Sequence, residues 1–147
     1  NDLLEHAAKL GVQDHLTIAG FAPHEQLPKR FNQYDVFLMP SITDPKTQQC
    51  EAFGVSLLEA IAAGLPVVAT RTGGIPEFVG SADPKAVLVP EKDGEAIAQA
   101  VLDMLKNPGV FDPAPGSLQR QVQGIYTPET ITGRYVEIYD RLTAAAL

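Results

Sequence analysis

The chain has 147 residues, of which 45% are hydrophobic and 20% are charged, and its formal net charge is -7. This length and composition are typical of one globular domain with a single hydrophobic core. The acidic balance argues against nucleic acid as a partner, which requires clustered Lys and Arg, and against electrostatic binding to an anionic membrane.

The first quarter of the chain predicts two helices and two strands. Apolar spacing over residues 3–10 predicts a helix that ends at Gly11. The alternating segment 15–21 (HLTIAGF) predicts a strand, and residues 28–34 predict a short helix. The compact apolar run 36–39 (VFLM) predicts a second strand that is buried on both faces.

The central part of the chain predicts further strands and helices around a polar loop. Residues 42–49 contain Asp44-Pro45 and predict a loop. A helix is expected over 54–63, with Val55 among its inward-facing residues, and strands are expected over 66–70 and 86–89.

Three more helices are expected among and after these strands. One begins near Pro76, and a second is capped by Asp93. The last has Thr127 as its cap, Pro128 at its first position and an apolar stripe that runs to Leu142.

Short apolar strands that alternate with amphipathic helices predict an α/β fold with right-handed βαβ units and a doubly wound parallel sheet. Only four strands are predicted, and the chain opens on a helix. We therefore expect that the first strands of such a domain precede Asn1.

The cellular location is inferred from the cysteine content and the apolar runs. Cys50 is the only cysteine, so an internal disulfide is impossible and a reducing compartment is indicated. The longest apolar stretch, residues 55–69, contains Glu59 and a Gly-Leu-Pro break, which makes it too short and too polar to span a bilayer. We expect a cytoplasmic protein without stable membrane insertion, for which peripheral contact with the inner membrane face stays open.

The loop and helix after the second predicted strand carry the most informative side chains. Ligands of open parallel sheets bind where the strands end and the helices begin. Gly54 would let a phosphate approach the free amides of a helix start. Glu51 and Glu59 would repel that phosphate, so we expect them to bind hydroxyl pairs on either side of it. The matching ligand is a nucleoside, a diphosphate and a sugar.

Simpler interpretations of these residues stay open on spacing alone. An E-x7-E pair is frequent by chance, and Glu59 is then an exposed helix residue. Glu51 is then an acid at a helix start, where the helix dipole favours it. Ser41, which ends a predicted strand beside the site, fits a donor contact or a turn.

The sequence EAFGVSLLEAIAAGLPVVAT followed by TGGIPEFV resembles the C-terminal, donor-binding domain of family-4-type retaining glycosyltransferases of the GT-B fold. The resemblance extends upstream to DVFLMPS and downstream to LVPEKDGEAIAQAVLDML. It implies that residues 1–147 form a single nucleotide-sugar-binding domain, the Rossmann-like half of a two-domain enzyme.

The resemblance also implies roles for individual residues. Glu51, the candidate catalytic residue, would hydrogen-bond the donor sugar as an orienting group rather than act as a nucleophile, and Glu59 would bind the ribose diol. Backbone amides around Phe53, Gly54 and Val55 would meet the sugar and the β-phosphate.

The nucleobase and the partners follow from the same resemblance. The loop at Gly20 and Phe21 would border the nucleobase. No metal and no cofactor are implied beyond the nucleoside diphosphate sugar. The implied partners are this nucleotide sugar, the N-terminal domain of the same protein and a glycan or lipid-linked acceptor. The isolated chain is expected to be inactive, because catalysis needs the acceptor domain to close over the cleft.

One departure from the family pattern concerns charge. No Lys or Arg occurs from Thr47 to Thr70, and the family's cations for the diphosphate belong to a unit that would precede Asn1. A non-catalytic nucleotide-binding module remains an alternative, which the sequence before Asn1 would distinguish. A nucleotide-sugar epimerase-like enzyme shares the architecture, but the E-x7-E spacing followed by GGIPE argues against it.

Overall fold

A computed structural model describes residues 2–79, 83–112 and 117–144. Its elements in chain order are α1 (Asp2–Lys9), 3-10 turns at Gln13–His15 and His24–Gln26, α2 (Leu27–Phe31), β1 (Phe37–Met39), α3 (Val55–Ala62), β2 (Val67–Thr70), α4 (Ile75–Phe78), β3 (Ala86–Val89), α5 (Gly94–Lys106), a 3-10 turn at Pro108–Phe111, α6 (Ser117–Ile125) and α7 (Pro128–Ala144). None of these described helices combines the length and the apolarity that crossing a membrane requires.

The three strands form one parallel sheet in the order β1-β2-β3. Phe37 is in register with Val67, and Val67 with Ala86. All four residues of the central strand β2 are buried. Because the strands are parallel, their carboxyl ends meet at one edge, which places the loops that follow β1 and β2 side by side.

Helices cover both faces of the sheet. On one face, Val67 and Ala69 pack against α3 and α6 through Leu57, Ile61 and Leu118. On the other face, Val68 and Val89 pack with Met104 of α5 and with Val110. Alternating side chains of a strand point to opposite faces, so a strand buried on both faces is apolar throughout. The prediction of a doubly wound α/β fold is confirmed.

The predicted strand over residues 15–21 is wrong. The structure has a 3-10 turn at Gln13–His15 and no regular element from residue 16 to residue 23. Leu16 and Ile18, whose alternation suggested the strand, are both exposed. A strand needs a neighbour that accepts and donates its backbone hydrogen bonds, and no strand of the described sheet pairs with this segment.

Two burial expectations also need correction. Strand β1 was expected to be buried on both faces, but Leu38 is 46% exposed because β1 is an edge strand in this sheet. Val55 was expected to face inward, but it is 60% exposed because Leu57, Leu58 and Ile61 form the inner face of α3.

The structure confirms the predicted end of α1 and the predicted cap of α7. The backbone N–H of Val12 donates to the carbonyl of Ala7 at 3.0 Å, beside Gly11 at a φ of 70°, so α1 ends as expected. The hydroxyl of Thr127 accepts from the N–H of Thr130 at 3.1 Å and caps α7. The apolar stripe of α7 has no buried residue among its described members.

Candidate functional site

The start of α3 is shaped by a glycine in the left-handed region. Gly54 has a φ of 78° and directly precedes the helix. Its carbonyl accepts hydrogen bonds from the N–H groups of Leu57 at 3.0 Å and Leu58 at 3.1 Å. A side chain at this φ would be strained, so the sequence Phe-Gly-Val fixes both the direction of the loop and the start of the helix.

The carboxylate of Glu51 lies over the same helix start. Its Oε1 accepts from the N–H of Gly54 at 2.9 Å and, more weakly, from that of Phe53 at 3.4 Å. This arrangement matches the interpretation of Glu51 as an acid favoured by the helix dipole. The other carboxylate oxygen of Glu51, Oε2, has no hydrogen-bond donor among the described residues. The N–H of Val55 likewise has no acceptor among them.

Two glycines, Gly73 and Gly74, pack closely against the backbone of the loop that carries Glu51. The N–H of Gly74 donates to the carbonyl of Glu51 at 3.1 Å. A Cβ on Gly73 would come within 1.8 Å of the carbonyl oxygen of Glu51, and one on Gly74 within 2.3 Å of that of Ala52. The Gly-Gly pair after β2 therefore allows two loops to touch along their backbones, and this contact positions Glu51.

Glu59 lies in the middle of α3 and contacts a loop from another part of the chain. Its Oε1 is 2.6 Å from Nε2 of His24, which begins the 3-10 turn before α2. The Glu59 side chain is 27% exposed and that of His24 is 79% exposed. Glu59 is therefore partly enclosed and has a specific partner, which a freely solvated helix residue would lack.

The two glutamates open onto different cavities. Glu51 and Ser41 line an open cavity of about 440 Å³ together with Asp44 and Gln49. Glu59 lines a mostly apolar cavity of about 730 Å³, with Phe53 and Val55 among its other residues. The structure therefore places the acids on two sides of the start of α3.

Phe53 has a packing role in addition to its place in the site. Its ring centroid lies 5.5 Å from that of Phe78 and 5.5 Å from that of Tyr126. Such edge and tilted arrangements stabilise aromatic clusters. The side chain of Phe53 therefore ties the start of α3 to α4 and to the connection between α6 and α7.

Gly20, in the loop with Phe21, lines a different cavity from the one that Glu51 lines. Gly20 has a φ of 70° and lines a cavity of about 320 Å³ with Leu27 and Tyr34. The Phe21 side chain is 91% exposed. The contact between His24 and Glu59 joins the segment that follows this loop to α3.

The loop over residues 42–49 is confirmed, and it is folded on itself. Asp44 Oδ1 accepts from the N–H groups of Lys46 at 2.7 Å and Thr47 at 2.9 Å. The Asp44 N–H donates to the carbonyl of Gln49 at 2.8 Å. The Thr47 and Lys46 amides hold the pKa of the Asp44 carboxyl below its usual range. This turn shapes the cavity beside Glu51.

Glu91 holds the beginning of that loop through hydrogen bonds to Thr43. Its Oε2 accepts from the N–H of Thr43 at 2.7 Å and its Oε1 from the Thr43 hydroxyl at 2.8 Å, while that hydroxyl lies 3.1 Å from the hydroxyl of Thr72. The Thr43 amide, then the Thr43 and Thr72 hydroxyls, hold the pKa of Glu91 below its usual range. Sequence reasoning missed both Glu91 and His24, because neither pairing has a local spacing signal.

A metal site would need a cluster of ligating side chains among the described residues. That part of the chain contains no group of three or more His, Cys, Asp or Glu side chains that could hold a metal ion. The cations that flank the site in sequence, Lys46 and Arg71, are both exposed.

Known proteins resemble this chain in sequence. The family model for glycosyl transferases group 1 matches residues 1–122. The chain is 42% identical over 88 residues, 60% of its length and 21% of the relative's, to the putative colanic acid biosynthesis glycosyltransferase WcaL of Escherichia coli. It is 41% identical over 102 residues, 69% of its length and 26% of the relative's, to the GDP-mannose-dependent alpha-(1-6)-phosphatidylinositol monomannoside mannosyltransferase of Mycolicibacterium smegmatis.

A solved structure has the same fold. The sucrose-phosphate synthase of Thermosynechococcus elongatus superposes with a TM-score of 0.80 at 27% identity, over 97% of this chain and 34% of that protein. The chain thus spans between 21% and 34% of the length of these proteins. The family match covers well over half of the chain, and the chain therefore belongs to the group 1 glycosyl transferases.

Proposed function

We propose that this chain is the C-terminal, donor-binding domain of a family-4-type retaining glycosyltransferase with the GT-B fold. It binds a nucleoside diphosphate sugar, and the complete enzyme transfers the hexose to a glycan or lipid-linked acceptor without a metal ion or a cofactor. The observation that carries the proposal is the placement of Glu51 and Glu59 on two sides of the Gly54 helix start, each facing its own cavity.

The donor fits this arrangement by the chemistry of its parts. A diphosphate is attracted to the free amides and the partial positive charge of a helix start. Vicinal hydroxyls suit ionised carboxylates, which accept several hydrogen bonds. We assign the sugar to the cavity that Glu51 shares with Ser41 and the ribose to Glu59, with the nucleobase toward Gly20 and Phe21.

The contacts of Glu51 refine its role. Because Oε1 is held by the Gly54 amide, Oε2 is the oxygen that accepts from a sugar hydroxyl. The Val55 amide, which has no acceptor among the described residues, is then the amide that meets the β-phosphate. In this arrangement Glu51 orients the sugar and does not attack it.

The remaining parts of the proposal concern the complete protein. A preceding N-terminal domain supplies the acceptor site and closes over the donor, so the chain alone binds without turnover. We place the enzyme in the cytoplasm, with its acceptor available in solution or at the inner membrane face.

The proposal is tested by steady-state kinetics of the intact protein with uridine and guanosine diphosphate sugars. Glu51→Ala should lower kcat/KM by about 10- to 100-fold, because a hydrogen bond to a charged group is lost. Glu59→Ala should mainly raise the donor KM, since the ribose is remote from the reacting carbon. Glu129→Ala, a first-turn acid of α7, is the matched control. Undiminished turnover in the Glu51→Ala, Glu59→Ala double variant would refute the assigned roles.

A further inference from the structure

The contact between His24 and Glu59 joins two segments that are 35 residues apart. Its 2.6 Å separation is that of a short hydrogen bond. An ionised carboxylate has no proton to give, so Nε2–H of His24 is the donor and Oε1 of Glu59 the acceptor. This donor role holds for the neutral and for the protonated imidazole.

The two side chains differ in their surroundings. Glu59 projects from α3 beside the buried residues Leu58 and Ala60, whereas the His24 ring is 79% exposed. Pairs with one partner this exposed contribute little to folding, because water solvates them well when they are apart. The contribution of this contact to the stability of the fold therefore does not explain why the two side chains meet.

The geometry provides such an explanation. A glutamate side chain has three rotatable bonds, and a ligand that binds it must first restrict them. His24 already holds Oε1, so the Oε2 atom and the remaining lone pairs of the carboxylate have a fixed direction. A carboxylate fixed in this way can accept from two neighbouring hydroxyls with less loss of rotamer freedom.

We propose that His24 is a positioning residue that orients Glu59 to accept hydrogen bonds from the ribose diol of a nucleoside diphosphate. This inference rests on the proposed function, which assigns the ribose to Glu59. It adds a residue outside the E-x7-E spacing, located in the loop region that follows Gly20 and Phe21.

The experiment measures the affinity of uridine and guanosine diphosphate and of their 2′-deoxy forms for the intact protein by titration calorimetry. His24→Ala removes the donor, whereas His24→Gln keeps an N–H at a similar reach from the backbone. His15→Ala, which changes an exposed histidine of another 3-10 turn, is the matched control. Donor KM and kcat are measured on the same variants.

We expect His24→Ala to weaken binding of the preferred ribonucleotide by about threefold to tenfold, the range that corresponds to freeing one side chain. Binding of the 2′-deoxy form should change less, because only one of the two hydroxyls that Glu59 accepts from remains. His24→Gln should recover most of the affinity, and His15→Ala should match the unaltered protein. In turnover, His24→Ala should raise the donor KM and leave kcat near its original value.

Three results would overturn the inference, and they are distinguishable. If the unaltered protein does not discriminate the ribo from the 2′-deoxy form, the ribose assignment in the proposed function fails and the inference fails with it. If it discriminates but His24→Ala binds both forms as before, only the positioning role fails. Equal weakening toward both forms, without recovery in His24→Gln, also contradicts positioning of the diol.

Discussion

At the scale of single residues, Gly73 and Gly74 determine where Glu51 lies. Both lie so close to the backbone of the Glu51 loop that a Cβ atom at either position would overlap a carbonyl oxygen of that loop. Gly73 also has a φ of 50°. The atoms in the way are carbonyl oxygens, so the backbone would have to shift to make room. A change at either glycine should therefore disturb folding and the site together.

Gly73→Ala and Gly74→Ala should each lower the free energy of unfolding by about 1–3 kcal/mol, through overpacking and backbone strain. Urea unfolding followed by circular dichroism measures this change. Gly133→Ala is the control, since nothing lies within 4 Å of its Cβ position in α7, and it should be neutral or stabilising by up to about 1 kcal/mol. Unchanged midpoints for both variants would contradict the described contact.

Glu91 adds a pH dependence to the loop beside Glu51. The Thr43 amide, then the Thr43 and Thr72 hydroxyls, hold its pKa below the usual range in the folded chain. A group with a lowered folded pKa stabilises the structure fully above its unfolded pKa, which is about 4.3 for glutamate. This contribution is lost as the pH falls through the lowered folded pKa.

NMR spectroscopy of the Thr43 amide should show this titration directly. In the unaltered chain the amide resonance should move only below the usual carboxyl range, as Glu91 takes up a proton. Glu91→Gln should remove the step, and Glu95→Gln, which changes an exposed acid of α5, should leave it in place. A step at the ordinary glutamate pKa would show that the Thr43 contacts do not form.

The residues of the candidate site were predictable in part. Glu51, Gly54 and Glu59 could be singled out as candidates because they lie within one loop and one helix, where spacing along the sequence corresponds to spacing in the structure; their roles stay predictions. His24 and Glu91 were not found, because each meets its partner across the fold. The periodicity of a single sequence does not predict a contact between two side chains that are distant along the chain.

At the scale of elements, helix ends were predicted better than strands. Asp93 was expected as a cap, and its Oδ1 accepts from the N–H of Ala96 at 2.9 Å. Cap signals are local, so the sequence contains all that is needed to predict them. The strand expected over residues 15–21 failed, since a strand also depends on a partner that alternation cannot supply.

Asp93→Ala should lower the free energy of unfolding by about 0.5–2 kcal/mol, because one amide at the start of α5 loses its acceptor. Asp103→Ala is the comparison within the same helix. Asp103 accepts from Gln99 at 2.8 Å and contacts Lys106 at 3.4 Å, and all three side chains are exposed. The loss of these surface contacts should change stability much less. Thermal or urea unfolding that ranks the two variants in the opposite order would contradict this assignment.

Helix α6 was not predicted from its sequence. Its residues SLQRQVQGI are mostly polar, and only Leu118 and Val122 are buried among its described side chains. Its role becomes visible in the fold, where Gln119 and Gln123 donate to the carbonyl of Ala62 at 3.1 Å and 2.8 Å. These two bonds give an acceptor role to a carbonyl at the C-terminal end of α3, which has no partner within the helix. The sequence alone does not show where that partner comes from.

At the scale of the whole molecule, the fold class could be predicted because composition and alternation of elements agree. The parallel sheet is covered on both faces, and the candidate site lies at the edge where its strands end. The number of strands and the edge position of β1 could not be predicted, since both depend on which strands pair.

The acidic charge makes a further prediction at this scale. With a formal net charge of -7, the chain should not be retained by vesicles that contain anionic lipid. Co-sedimentation at low salt measures this, with neutral vesicles as the control. Strong binding to the anionic vesicles alone would contradict the prediction and would point to a basic surface that the net charge conceals.

The position of a bound donor tests the central claim most directly. A crystal structure of the protein with its nucleoside diphosphate sugar should place a sugar hydroxyl within about 3 Å of Glu51 and the ribose diol within about 3 Å of Glu59. The diphosphate should lie at the start of α3, near the Val55 amide. A donor bound elsewhere, or bound there with both carboxylates turned away from it, would contradict the claim.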